Sequence, residues 1–198
     1  MCDALYPWGG RFKEGDPKKC VAIVTLSEEL DFDLSSLALY GNMKTENLGV
    51  EKVVANVVSN PNIRHVIVAG NEVRGHRSGE SIIKLHKNGI DGNNRVIGAN
   101  SAVPFIENLP REAIERFQAQ VEIVDMMGVD DVAAIEARAE KCEDPGPFGE
   151  PMIVEMIERE GVHIVGESDL ALHSGIEIDS YGVITEPAFA GDTDGASG

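Results

Sequence analysis

The chain has 198 residues, 42% of them hydrophobic, and carries 34 acidic against 17 basic side chains for a formal charge of -17. That length suits one ordinary domain with a real core and room for a small appendage. So acidic a surface repels nucleic acid and anionic lipid; it suits a basic partner or plain solubility in a cytoplasm. Cys2, Cys20 and Cys142 are odd in number, widely spaced and in no CxxC pair, which argues against a disulfide scaffold and a structural zinc site. No signal-peptide pattern opens the chain and no apolar run reaches membrane-spanning length, so the expectation is a cytoplasmic protein with no membrane span.

In chain order, Cys20 to Leu26 is short, apolar and rich in β-branched residues, the pattern of a buried strand. Residues 41–50 carry two glycines and two asparagines and read as a loop entering a helix. That helix shows Val53, Val54, Val57 and Val58 on one face and stops before Asn60-Pro61. His65 to Gly70 is a second strand, and Ser78 to Asn88 a second helix closed by Gly89. Arg95 to Ala99 reads as a third strand, followed by a loop from Asn100 to Leu109. Pro110 opens a helix with Ile114, Phe117 and Val121 at helical spacing, and Glu122 to Met127 reads as a fourth strand. Asp130 and Asp131 favour the start of a fourth helix. Strands and helices thus alternate, which predicts an α/β fold: Rossmann-like, a mostly parallel sheet with helices on both faces.

After Asp144-Pro145-Gly146-Pro147 the character changes. His163 to Val165 is strand-like, and Gly175 to Thr185 reads as a hairpin turning at Asp179-Ser180-Tyr181-Gly182. The expected organisation is a Rossmann-like domain over 1–150, a small C-terminal β appendage over 151–190 and a disordered acidic tail over 191–198.

The chemistry concentrates in Gly70-Asn71-Glu72-Val73-Arg74-Gly75-His76-Arg77-Ser78-Gly79, a glycine-punctuated loop after a buried strand. Ligands of open α/β sheets bind at such strand ends. Of the five histidines, His65 and His86 read as structural, His163 and His173 fall in the less regular C-terminal part, and none forms HxH, HxxxH or HExxH. Position alone leaves His76 open as a metal ligand or as a loop histidine bonded to backbone. Gly70, Gly75 and Gly79 miss the dinucleotide spacing and no P-loop exists, so ordinary NAD and ATP loops are absent. Ser78 and Ser81 sit in no nucleophile elbow. Glu46, Glu72 and Glu107 all fall in loops at the expected ligand-bearing edge, where one of them would orient His76 or all would be solvated.

Three segments together carry a resemblance. They are Lys44-Thr45-Glu46-Asn47-Leu48-Gly49-Val50 running on to Arg64, Glu72-Val73-x-Gly75-His76-x-x-Gly79, and Ile97-Gly98-Ala99 followed by Ala102-Val103-Pro104-Phe105-Ile106-Glu107-Asn108-Leu109-Pro110. In this order they resemble the A subunit of the tetrahydromethanopterin S-methyltransferase of methanogenic archaea, with the likeness reaching to about Asp130. The resemblance implies a cobamide, a corrinoid related to vitamin B12, on a Rossmann-type domain. It implies cobalt-centred methyl transfer from methyl-tetrahydromethanopterin to the thiol of coenzyme M, in company with partner methyltransferase subunits. The family's lower axial cobalt ligand matches His76. Such an imidazole binds six-coordinate Co(III) and releases four-coordinate Co(I), and a carboxylate on its second nitrogen would tune it. Glu46 is the first candidate for that partner and Glu72 the second. The matched loops extend the expected cofactor contacts to Asn47, Leu48, Gly49, Gly70, Val73, Gly75, Gly79, Gly98, Ala99, Pro104, Glu107 and Asn108. Membrane-bound members end in a transmembrane helix, and the polar end of this chain fits a soluble homologue instead. Competing readings are a nucleotide or metabolite module with a degenerate cobamide site, and a scaffold subunit.

Overall fold

The computed structural model describes residues 5–155 and, beyond them, the backbone of two short strands. The chain divides into two compact units, residues 1–158 and 159–198. In the second unit, β6 (Glu177–Ile178) pairs antiparallel with β7 (Ile184–Thr185), at the expected hairpin. Its turn, the segment 163–165 and the tail 191–198 lie outside the described residues.

The first unit is built on a five-stranded sheet in the order β1 (Phe12–Glu14), β3 (Leu39–Asn42), β2 (Val21–Thr25), β4 (His65–Gly70), β5 (Glu122–Met127). All neighbours are parallel except β1, which runs antiparallel along the edge of β3. Strand β2 is buried throughout and β4 nearly so, which is why both read as unbroken apolar runs rather than alternating ones. Val24 and Val68 pack on one face with α1 (Leu48–Ser59), α2 (Ser78–Asn88) and α3 (Arg111–Gln120), among them Val54, Leu85 and Phe117. Ile23 and Ile67 pack on the other face with Ile135 and Ala139 of α4 (Val132–Ala139).

The strand expected third, Arg95 to Ala99, does not join the sheet. Residues 95–99 join no sheet; Val96 bridges Ile90 and Arg95 bridges Phe105. The cause is local. The Asp91 carboxylate accepts from the N–H groups of Asn93 (2.8 Å) and Arg95 (3.0 Å), and the resulting tight turn closes the segment on its own neighbours. A parallel neighbour of β2 forms instead at Leu39–Asn42, whose last two residues, Gly41 and Asn42, open the stretch read as loop.

Strand β2 is the first of the parallel set, with β3 on one side of it and β4 then β5 on the other. The order therefore reverses between the C-terminal ends of β2 and β4, the place where open α/β sheets take ligands. The loops leaving those two ends are tied together: Ser27 N–H donates to Asn71 O (3.1 Å), and Asn71 donates to both oxygens of Glu28 from its backbone and its side chain (2.9 Å each). At the opposite end of the sheet, the segment after α4 is strapped down by Arg64 and Arg116 stacking on Phe148 and by the Trp8 indole donating to Val154 O (2.7 Å). No helix among the described residues is long and apolar enough to cross a membrane.

Candidate functional site

The β4–α2 loop contains a four-residue turn, Val73 to His76, closed by His76 N–H on Val73 O at 3.0 Å. Gly75 is its third residue with φ +91, the sign a type II turn requires there. A side chain built on Gly75 would meet nothing within 4 Å, so this turn faces open space. Helix α2 starts immediately after, with Arg77 as a left-handed N-cap that offers no side-chain acceptor. Glu72 supplies the cap from outside the helix. Its carboxylate accepts from Gly79 N–H (3.1 Å) and Glu80 N–H (2.8 Å). Gly79 lets the helix approach the sheet, because a Cβ there would lie 2.7 Å from Met127 Sδ and 2.8 Å from Leu26 Cδ1.

The α1 entrance is shaped by the KTEN residues. The Thr45 hydroxyl accepts from Gly49 N–H (2.8 Å), and the Asn47 side chain accepts from Leu48 N–H (2.7 Å). Glu46 precedes this cap and its side chain, 4% exposed, turns inward. Its Oε2 takes the His76 Nδ1–H at 2.7 Å and its Oε1 takes the Val103 N–H at 3.0 Å. Burial pushes the Glu46 carboxyl up, but its own backbone N–H, the His76 ring and Val103 together outweigh burial and hold it below the usual range. A carboxylate can only accept, so Nδ1 is the donor, and in the neutral ring this places the proton on Nδ1 and leaves the Nε2 lone pair bare. His76 is 48% exposed, and Nε2 makes no hydrogen bond among the described residues.

Of the residues expected at the site, the structure thus joins His76 to Glu46, with Val73, Gly75, Asn47, Leu48 and Gly49 in the two flanking turns. Glu72 belongs to the capping of α2 and not to the ring nitrogen. Gly70 ends β4, where its N–H donates to Val129 O (2.7 Å). Pro104 is buried beside Val103, and its carbonyl accepts from Val96 N–H (2.9 Å). Gly98 lies against Asn88 and Lys84 in the C-terminal half of α2, and the neighbouring Ala99 is buried, its N–H on Val96 O (3.3 Å). Glu107 and Asn108 sit farther along α1, with their backbone N–H groups on Glu51 at 2.6 and 2.8 Å. Sequence reasoning missed Glu51, and also Val103, an exposed apolar side chain (49%) next to the His76–Glu46 pair.

His65 and His86 are structural, as expected. Their Nε2 atoms are bonded to Glu143 O and Val121 O, each at 2.8 Å. No group of three or more His, Cys, Asp or Glu side chains among the described residues could hold a metal ion. A metal meeting His76 would have to bring its other ligands with it. A concavity at the β1–β3 edge, lined by Arg11, Lys13, Tyr40 and Asn42, does not include His76, which stands on open surface. A flat, broad ligand can dock on such a surface.

Fold and site define an α/β protein whose ring nitrogen is presented at the sheet's switch point by a buried carboxylate. The chain belongs to the family of the tetrahydromethanopterin S-methyltransferase A subunit, whose profile matches residues 5–164. It is 47% identical over 164 residues to the A subunit, form 1, of the tetrahydromethanopterin S-methyltransferase of Methanothermobacter thermautotrophicus, covering 80% of this chain and 68% of that one. It is 45% identical over 155 residues to the corresponding A subunit of Methanosarcina barkeri (75% and 64% covered). It is also 45% identical over 150 residues to the A subunit of the putative methyltransferase Mtx of Methanosarcina acetivorans (75% and 76%). The chain spans about two thirds of the length of the tetrahydromethanopterin methyltransferase relatives.

Proposed function

We propose that this chain is a cobamide-carrying subunit of a methyltransferase system, with His76 Nε2 as the lower axial ligand of cobalt. The observation that carries the reading is the short Nδ1–H bond from His76 to the buried Glu46, which leaves Nε2 as a free lone pair on the surface. When bound, a cobamide supplies a cobalt centre that takes up and gives away a methyl group. The residues of this chain bind and orient it. The open face of Gly75 admits a macrocycle edge against the backbone. Val103 offers it an apolar contact, and the Asn47-Leu48-Gly49 turn lies on the Glu46 side of the ring. Glu46 accepts from Nδ1, so the ring is turned with Nε2 toward the open side.

The switch-point loop and the strand order support a Rossmann-like cobamide domain over the first unit. The relatives' name, a tetrahydromethanopterin S-methyltransferase, supports a methyl donor such as methyl-tetrahydromethanopterin, a sulfur acceptor and partner methyltransferase subunits; coenzyme M as that thiol and a cytoplasmic location are parts of the same proposal. The carrier would not turn over alone.

The test is the absorption spectrum of the protein after incubation with hydroxocobalamin and desalting, for wild type and His76→Ala. Retained corrinoid with a histidine-shifted spectrum in the wild type alone is the expected result. Equal spectra in both would remove His76 as the ligand. No retained colour in either would remove the carrier reading.

A further inference from the structure

Glu51 lies in the first turn of α1 and is only 1% exposed. A carboxylate there loses its water, at a cost that only a full set of hydrogen bonds offsets, and an aliphatic side chain would serve the packing better. What a carboxylate adds is direction. Its Oε1 accepts from the N–H groups of Glu107 (2.6 Å) and Asn108 (2.8 Å), and its Oε2 from Asn108 Nδ2 (2.8 Å). All three donors belong to one turn, at the end of the segment 89–109.

That segment is self-supporting. Besides the bridges Ile90–Val96 and Arg95–Phe105, Val96 N–H donates to Pro104 O and Ile106 N–H to Asn94 O, both at 2.9 Å. It therefore does not need Glu51 for its shape, but it has to be docked on α1. Two buried carboxylates at the start of α1 do this: Glu46 receives Val103, and Glu51 receives residues 107–108.

We propose that Glu51 is a positioning residue for His76, acting through this segment. By docking residues 107–108 it seats the Val103 N–H on Glu46 Oε1, which fixes the plane of that carboxylate and aims Oε2 at His76 Nδ1. The consequence is a choice of tautomer: Nδ1–H with a bare Nε2 while the segment is docked, and a mixture with Nε2–H once it shifts. The functional weight of this rests on the cobamide reading; the coupling itself exists without any cofactor.

The experiment is 15N NMR of the full-length, cofactor-free chain. It reads the ring nitrogens of His76 and the exchange rate of the Val103 amide in wild type, Glu51→Gln, Glu51→Leu and Asn108→Asp. Core methyl signals of Ile114 and Leu85 report the fold. Wild type and Glu51→Gln, whose amide oxygen still accepts both backbone donors, are expected to show the Nδ1–H pattern. Glu51→Leu and Asn108→Asp are expected to show a growing Nε2–H pattern and a Val103 amide exchanging at least about tenfold faster. Wild-type ring signals in a folded Glu51→Leu would overturn the proposal. Asn108→Asp, which sets a second carboxylate against Glu51 from a half-buried turn, decides the matter if Glu51→Leu does not fold. Hydroxocobalamin is then added to the same samples. Failure of the wild type to bind it sinks the cobamide reading and leaves the ring-nitrogen result standing. Binding with unmoved ring signals in the variants sinks the Glu51 proposal alone.

Discussion

Glu46→Gln is the sharpest perturbation of the site, because it keeps size and shape and changes only acceptor count. The Glu46 carboxylate meets two donors, His76 Nδ1–H at 2.7 Å and Val103 N–H at 3.0 Å. A glutamine amide brings one acceptor and one donor pair to the same two partners. If its oxygen serves His76, the Val103 N–H faces an NH2 group and is left unsatisfied, at about 1–3 kcal/mol. If its oxygen serves Val103, the NH2 faces His76 Nδ1, which becomes an acceptor while the proton moves to Nε2. The second arrangement leaves no orphan, so it wins, and it takes the lone pair away from the metal. Loss of a correctly polarised ligand partner lowers metal-site affinity by about 10–100-fold. That corresponds to about 1.4–2.8 kcal/mol of binding. Folding stability should move by less than about 1 kcal/mol, since lost charge-assisted bonds are offset by relief of a buried charge. The assay is equilibrium binding of hydroxocobalamin followed by its visible spectrum, with thermal unfolding as the fold control. Wild-type affinity and an unchanged spectrum in a folded Glu46→Gln protein would refute the reasoning.

Gly79→Ala gains about 0.5–1 kcal/mol of helix propensity. It places a Cβ 2.7 Å from Met127 Sδ and 2.8 Å from Leu26 Cδ1. Such overpacking costs about 1–3 kcal/mol, so a net loss in urea unfolding is expected, together with weaker hydroxocobalamin retention as the start of α2 is pushed off the sheet. Gln120→Leu should destabilise by about 1–3 kcal/mol without touching cobamide retention. The amide of Gln120 serves three carbonyls remote from His76, Val57 O (3.2 Å), Asn60 O (3.0 Å) and Ile63 O (3.0 Å). Glu28 is pushed up by desolvation, but donors from Asn71 and Ser27 outweigh this and hold it below the usual range. A depressed folded pKa means its stabilisation is complete above the ordinary glutamate pKa of about 4.3 and is lost as pH falls through the lower folded value. Urea midpoints measured downward from pH 5 should therefore decline less steeply in Glu28→Gln than in wild type.

The elements that the sequence announces are those whose local signals agree with their surroundings. His65–Gly70 and Ser78–Asn88 fall where the apolar run and the Gly89 stop put them, and Glu122–Met127 follows the helix opened by Pro110. The exchange of Leu39–Asn42 for Arg95 to Ala99 has a physical reason. A short apolar run states that it is buried, not what it pairs with. Partner choice came from outside both segments, from Ala22 to Thr25 pairing with Leu39 to Asn42 and from Asp91 folding residues 91–95 back on themselves. The histidine of the site was legible as a position, and its carboxylate only through the likeness of the KTENLG loop, since a separation of 30 positions between Glu46 and His76 leaves no local trace of the contact.

Glu51 is a different kind of omission, because its signal was present. Glu51, Ala55 and Val58 follow one another at i, i+4 and i+7, and all three are buried. A carboxylate on a stripe that is otherwise apolar contradicts the binary pattern of an amphipathic helix. Such contradictions persist where a directional bond is worth more than packing. The same test separates the acidic residues of this chain better than their number does. Glu72 sits in a loop and works as a helix cap, while Asp31, 95% exposed, is solvated surface. Among the described acidic residues, Glu46 (3% exposed) and Glu51 (1%) alone combine such burial with bonds to the 100–109 loop. The two carboxylates the sequence cannot bury cheaply are thus the two that set the geometry around His76.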